Sequence, residues 1–408
     1  MATYLERLHH ISLHVSNVDK ITNDFVSKFQ FQLIATRLTD RSRQLVFRTG
    51  SAVFIVNERE GRQSVSTLNG NPEVDTETLN WDQPTGCLYD VSPLYPVDTV
   101  RNVCFEVDDV HASFDALQRL GCTFLVPPTT VRDQYGEVIY AIVKSIFGNV
   151  CHTLIDKTKY NGGFLPGFDV VVDEDHGTSG DDIHVDHIAL ACPIGTSQET
   201  MKWYEKIFTF QRFFINRNDN MDDGFVIHHR GKGIRLAAME YSKCNKRSLG
   251  IPYEDKHELK FVVAESLLDK GRNQVDVFLE EHGGAGIQHI ALTTSDILST
   301  THTMMEAGVP FFSPPAAYYA QREKLKEIMD AGYDPEKMNK FGILLDMDPD
   351  EDRKYILQVF TKPLFEEDTF FFELIERRGV TGLGEGNIRA LWDCVQIYMD
   401  APKTSHKQ

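Results

Sequence analysis

The chain repeats itself once, and that duplication constrains its fold more than any other feature. Leu8-His-His-Ile-Ser-Leu-His-Val15 matches Val185-Asp-His-Ile-Ala-Leu-Ala-Cys192. Arg101-Asn-Val-Cys-Phe-Glu-Val107 lies over Ile287-Gln-His-Ile-Ala-Leu-Thr293, and Leu120-Gly-Cys-Thr-Phe-Leu-Val-Pro-Pro128 over Ala307-Gly-Val-Pro-Phe-Phe-Ser-Pro-Pro315. Cys151-His-Thr-Leu-Ile-Asp156 then meets Phe371-Phe-Glu-Leu-Ile-Glu376. Four blocks in one order mark a tandem duplication. The opening blocks alternate apolar and polar residues with the strand period, and helical stretches follow at Asn17–Phe29, Asp109–Leu120, Ser197–Phe208 and Ser295–Ala307. Strand, helix and further strands, repeated within each half, predict an α+β fold of βαβββ modules. The expected division is an N-terminal domain over 1–160, a linker over 161–182 with the Asp- and Gly-rich stretch Asp169–Asp182 in it, and a C-terminal domain over 183–408. A charged helical insertion, Tyr318–Asn339, belongs to the second half alone.

Bulk properties remove several function classes. With 42 basic against 60 acidic residues the net charge is −18, which repels phosphate backbones and anionic lipid and predicts no nucleic-acid partner. No apolar run reaches the length of a transmembrane helix. The seven cysteines are scattered without a CxxC pair, a pattern of reducing compartments rather than of disulfide frameworks or cysteine-ligated zinc. The N-terminus shows no cleavable, Arg-rich presequence.

Comparing the halves isolates the chemistry. The first block carries His10 in one half and His187 in the other. At the second block Val103 stands where the C-terminal half has His289, and at the last Thr153 stands opposite Glu373. Only the C-terminal half therefore keeps His/His/Glu, and the N-terminal half is expected to bind no metal. The pleat places His187 with Val185, Ala189 and Ala191, His289 with Ile287 and Ala291, and Glu373 with Phe371 and Ile375. A carboxylate on such a face costs several kcal/mol to bury alone, and a divalent cation offsets that cost. Two imidazoles and one carboxylate from separate strands form the facial triad of non-haem iron(II) oxygenases, although zinc accepts the same ligands.

At these blocks the chain resembles the 4-hydroxyphenylpyruvate dioxygenase and 4-hydroxymandelate synthase family of the vicinal-oxygen-chelate superfamily. The motifs are Phe164-Leu-Pro-Gly-Phe168, Gly283-Gly-Ala-Gly-Ile-Gln-His-Ile-Ala-Leu292, Leu357-Gln-Val-Phe-Thr-Lys-Pro363, Phe371-Phe-Glu-Leu-Ile-Glu-Arg377 and Gly382-Leu-Gly-Glu-Gly-Asn387. Asn387-Ile-Arg-Ala-Leu-Trp392 is similar to the family's dioxygenase-like branch. The resemblance implies tandem vicinal-oxygen-chelate domains with an active C-terminal barrel, and one iron(II) at His187, His289 and Glu373. It assigns pocket roles to Gln274, Gln288, Gln358, Phe360, Phe371, Asn387 and Ile388, with a small aromatic 2-oxo acid and dioxygen as reactants. The glycines at 382, 384 and 386 read as a hinge, and the amphipathic stretch Asn387–Met399 as a helix that closes the pocket.

Two departures bear on the reaction. Ile388 stands where the dioxygenases carry Phe, as in the hydroxymandelate synthases, and the family's Pro-x-Asn-Glu-Pro reads Val262-Val-Ala-Glu-Ser266 with Leu236 in place of a nearby Ser. Removing a flat wall from the ring clamp favours benzylic hydroxylation to 4-hydroxymandelate. Homogentisate formation and a catalytically silent binding protein are the alternatives. Resemblance to the dioxygenase-like branch further implies mitochondria and supply of a ubiquinone head-group precursor, with the cytoplasm as the other compartment. The assembly stays open, a homodimer being among the alternatives.

Overall fold

His10 and His187 sit at equivalent points of two sheets built in the same order. The computed structural model describes residues 5–40, 42–59, 87–91, 95–172, 183–215, 224–229, 232–241, 259–267, 272–348, 353–388 and 390. In the N-terminal half the strands run Phe124–Asp133, Gly136–Lys144, Cys151–Asp156, Thr99–Glu106, Arg7–Val15, Ala52–Glu58, Ser42–Thr49 and Gln32–Thr39, with Asp169–Val170 at the edge. In the C-terminal half they run Leu344–Met347, Tyr355–Phe360, Phe371–Arg378, Gly286–Thr293, Val185–Cys192, Leu259–Leu267 and Lys232–Tyr241. Gln211–Phe213 and Phe225–His229 both pair with the last. Arg7–Val15 pairs parallel with Ala52–Glu58 and antiparallel with Thr99–Glu106, as Val185–Cys192 does with Leu259–Leu267 and Gly286–Thr293. The fold is that of tandem vicinal-oxygen-chelate units, α+β.

The helices fall close to their sequence signals: Val18–Asn23 continued by a wider turn Asp24–Lys28, then Val110–Arg119, Ser197–Phe208 and Ile297–Glu306. The insertion folds as Ala316–Ala320, Arg322–Asp330 and Pro335–Phe341. One further helix, Gln274–His282, starts on an Asn273 capping box. Residues 161–172 lie on the N-terminal half, where Phe164, Leu165 and Phe168 join its core. Residues 173–182 and most of the Asn387–Met399 stretch fall outside the described residues.

One face of each sheet goes into a shared apolar core. Leu13, Phe54 and Phe105 of the first half meet Ile188, Leu190, Phe261 and Phe372 of the second there. The Phe372 ring lies 5.4 Å from Phe29 and 5.6 Å from Phe54, a contact across the halves. Each buried aromatic contributes about 1.5–3 kcal/mol. The opposite faces carry the histidines.

Two β-bulges set which residues share that face. Val185 pairs with Leu292 but His187 with Ala291, which leaves Asp186 as an extra residue. Ala189 pairs with His289 but Leu190 with Ile287, which leaves Gln288 as the other. Strict alternation therefore misplaces two neighbours: Val185 and Ile287 face the shared core, not the histidines. The first half repeats both bulges, at His9 and at Arg101. Its register also corrects the counterpart of His289. Ser12 pairs with Asn102 as Ala189 pairs with His289, so Asn102 is the equivalent residue, and Val103 lies in the shared core. A slip of one position moves a side chain to the other face.

Candidate metal centre

Three strands bring His187, His289 and Glu373 to one point. Parallel pairing of Gly286–Thr293 with Phe371–Arg378 sets Glu373 beside Ala291, which is itself opposite His187. The Nε2 atoms of the two histidines are 3.4 Å apart, and the Glu373 Oε2 atom is 3.3 Å from His187 Nε2 and 3.5 Å from His289 Nε2. Glu373 is 1% exposed and His187 4%. The surrounding face is apolar, with Ala189, Ala191, Val262 and Ala264 on one side and Ala291, Ile356 and Ile375 on the other.

The bulges supply what orients the rings. Asp186 Oδ1 accepts the Nδ1 proton of His187 at 3.0 Å, and Gln288 Oε1 faces His289 Nδ1 at 3.3 Å. With Nδ1 donating in both rings, both Nε2 lone pairs turn inward, the arrangement that metal-binding histidines need. Arg377 holds the Asp186 carboxylate through Nε at 2.6 Å and Nη2 at 2.8 Å. Burial works against that carboxylate, yet Arg377 and His187 hold its pKa well below the usual range. Burial alone would lower His187, but Glu373 and Asp186 outweigh it and hold the ring at about 9. His289, partly buried beside His187, is pushed well below its ordinary value by desolvation and by the His187 charge. The donor set fits a divalent ion: two inward nitrogens, one carboxylate oxygen and a buried negative charge to neutralise.

The residues expected in the pocket divide into two groups. Gln358 Nε2 donates to the other Glu373 oxygen, Oε1, at 2.7 Å, and Asn387 Nδ2 donates to Gln358 Oε1 at 2.9 Å. The Tyr318 hydroxyl, 3.1 Å from Asn387 Oδ1, closes this buried series. Gln358 and Asn387 therefore fix the carboxylate. Gly384, at φ +73°, lies so close that any side chain there would strike the Gln358 amide, and one at Gly386 would strike Asp346. These glycines permit close packing where the sequence suggested a hinge. Phe371 stacks on His289 at 4.8 Å with Phe360 beyond it at 6.5 Å. Gln274 lies in the first turn of Gln274–His282 and makes no hydrogen bond to the three ligands.

Ile388 is partly buried against a cluster that includes Leu236, Ala264, Val275, Phe278 and Leu383. Leu236 and Ala264 are direct partners across two strands. Both departures from the family pattern therefore meet in one apolar patch on the metal-bearing face.

Sequence reasoning missed Asp186, Arg377 and Tyr318. Asp186 precedes a ligand histidine, but alternation assigns it to the other face. Tyr318 opens the segment that the sequence marks only as a charged helical insertion. The N-terminal half shows the same site closed by its own chain. Asn102 Nδ2 and Thr153 Oγ1, at the positions of His289 and Glu373, donate to the Tyr89 carbonyl at 3.2 and 2.8 Å.

The profile of the Glyoxalase/Bleomycin resistance protein/Dioxygenase superfamily matches residues 184–336. The chain is 39% identical over 403 residues to the 4-hydroxyphenylpyruvate dioxygenase-like protein of Rattus norvegicus, covering 97% of this chain and 98% of that one. It is 28% identical over 403 residues to the 4-hydroxyphenylpyruvate dioxygenase of Tetrahymena thermophila, covering 95% and 89%. Among solved structures, a triple mutant of 4-hydroxymandelate synthase from Streptomyces coelicolor superposes with a TM-score of 0.73 at 23% identity, covering 98% of this chain and 100% of that one. That likeness establishes the shared fold. The chain belongs to the 4-hydroxyphenylpyruvate dioxygenase-like family.

Proposed function

We propose that this protein is an iron(II)-dependent dioxygenase that converts 4-hydroxyphenylpyruvate and dioxygen to 4-hydroxymandelate and carbon dioxide. His187, His289 and Glu373 would hold the iron, which when bound supplies a site for the 2-oxo acid and for dioxygen. Asp186 and Gln288 keep both imidazoles in the ligating tautomer. Gln358 and Asn387 keep Glu373 from rotating. The apolar faces of Ala189, Val262 and Ala264 exclude water, which strengthens every charge interaction within.

The observation that carries the choice of product is the place of Ile388. It packs against the apolar cluster to which Leu236, Ala264 and Leu383 belong, where a branched aliphatic group would leave a ring more room to tilt than a flat aromatic wall. Ring tilt decides whether the benzylic carbon or the ring receives oxygen, and reactive geometry is narrow. Homogentisate and 4-hydroxymandelate are isomers, so the test is chromatographic separation of products from iron-loaded protein given 4-hydroxyphenylpyruvate. A mainly homogentisate mixture overturns the mandelate reading, and turnover of neither product overturns the enzyme. By family resemblance the reaction belongs in mitochondria and feeds ubiquinone head-group synthesis, which fractionation and isotope tracing from labelled substrate test.

A further inference from the structure

The N-terminal half carries a second cluster of ligand atoms, beside the position its closed site occupies. His9, His10 and Cys104 each offer one atom, and the three lie within 4.8 Å of one another. His10 and Cys104 are direct partners across Arg7–Val15 and Thr99–Glu106, so their side chains leave the sheet on one side. The bulge at His9 turns that ring to the same place, with its Nδ1 atom 2.7 Å from His10 Nδ1. One proton can bridge these two nitrogens. Whichever ring donates it, His10 Nε2 is left buried with no hydrogen-bond partner. An unsatisfied buried nitrogen costs about 1–3 kcal/mol.

We propose that His9, His10 and Cys104 bind one d10 cation, zinc(II) or copper(I). A thiolate and two imidazoles form a soft-to-borderline donor set, unlike the carboxylate-containing triad of the other half. Such an ion stands about 2.0–2.3 Å from its ligands, which places those atoms about 3.5 Å apart, so binding takes side-chain shifts on the order of an ångström. Cys104 loses its thiol proton to solvent as the metal–sulfur bond forms. The Phe164 ring, 5.6 Å from His9 and 6.3 Å from His10, shields the cluster. His9, with its side chain 8% exposed, offers the way in. The two halves would then hold different metals on equivalent strands.

The test uses the full-length His289→Ala chain, whose iron site lacks one ligand while the N-terminal cluster is intact. It is exposed to zinc(II), or to copper(I) without oxygen, then desalted and its metal counted. One of the two ions is expected at one equivalent per chain above that held by the same chain with Cys104→Ala. His9→Gln, at a partly exposed position, is expected to lower retention at least tenfold. Cobalt(II) bound to the wild-type chain should show a thiolate-to-cobalt charge-transfer band, absent in Cys104→Ala. Retention that is equal with and without Cys104 overturns the proposal, as does no retained ion or a band that persists in Cys104→Ala. Iron bound by the Cys104→Ala chain at the wild-type level reports that it is folded.

Discussion

Asp186 reaches His187 because a β-bulge turns two consecutive residues to one face, and the carboxylate so placed is clamped by Arg377 from the third ligand's strand. The strand that provides Glu373 thereby also orients the first histidine. Asp186→Asn keeps the shape but loses the charge, and iron affinity should fall about 10–100-fold. Titration of iron into the metal-free variant measures it. Wild-type affinity would show that Asp186 serves folding alone.

His187→Ala, His289→Ala and Glu373→Ala should each reduce iron from about one per chain to a small fraction and abolish oxygen consumption. His10→Ala should leave that iron in place, since Asn102 and Thr153 are committed to the Tyr89 carbonyl. Elemental analysis of the four variants decides this, and full iron in any of the first three removes that ligand from the centre.

Gly384→Ala adds a side chain to a left-handed residue facing the Gln358 amide. The expected cost is about 1–3 kcal/mol in stability. Gln358 would also be displaced from Glu373, so iron affinity should drop. A melting curve and an iron titration indistinguishable from wild type would falsify the close-packing account of this turn.

Ile388→Phe should shift the product ratio from 4-hydroxymandelate towards homogentisate. The lost rate is uninformative, because added volume in a packed site is costly in itself. Leu236→Ser with Ala264→Asn restores a polar pair across two strands in the same patch. One or two new hydrogen bonds to the substrate would lower KM about 2–10-fold. An unchanged KM and ratio in both variants would place the patch away from the substrate.

His152 and His282 are buried by folding, which pushes each down to about 4. Well above 6.5 neither state binds a proton there, so nothing is lost. As pH falls from 6.5 towards 4 the unfolded chain gains protons that the folded chain does not, and stability declines. Between pH 7 and 5.5 each contributes a loss of about 1 kcal/mol. Denaturant titrations of the wild type and of His152→Gln should differ in their pH slope; equal slopes would mean that His152 is charged in the folded state.

The duplication was legible because both halves keep the same order of blocks, and the three ligands stood out as differences between them. That comparison needs only residue types at matched positions. The spacing of the two halves differs by one residue at the second block, and the third block, aligning Leu120 with Ala307, carries the offset that sets Asn102 rather than Val103 opposite His289. The bulges decided the rest. A bulge has no fixed residue type, so alternation counted through Asp186 and Gln288 as ordinary strand residues and sent Val185 and Ile287 to the wrong face. Tyr318, Asn387 and Gln358 are 29 or more residues apart in pairs, and only folding links them into the series whose last member, Gln358, donates to Glu373. The sequence by itself determined the ligands, since ligand chemistry is a property of residue type. Tertiary structure alone decided how they are oriented, and that the first half's site is filled by its own Tyr89 carbonyl, because both depend on register and on segments distant along the chain.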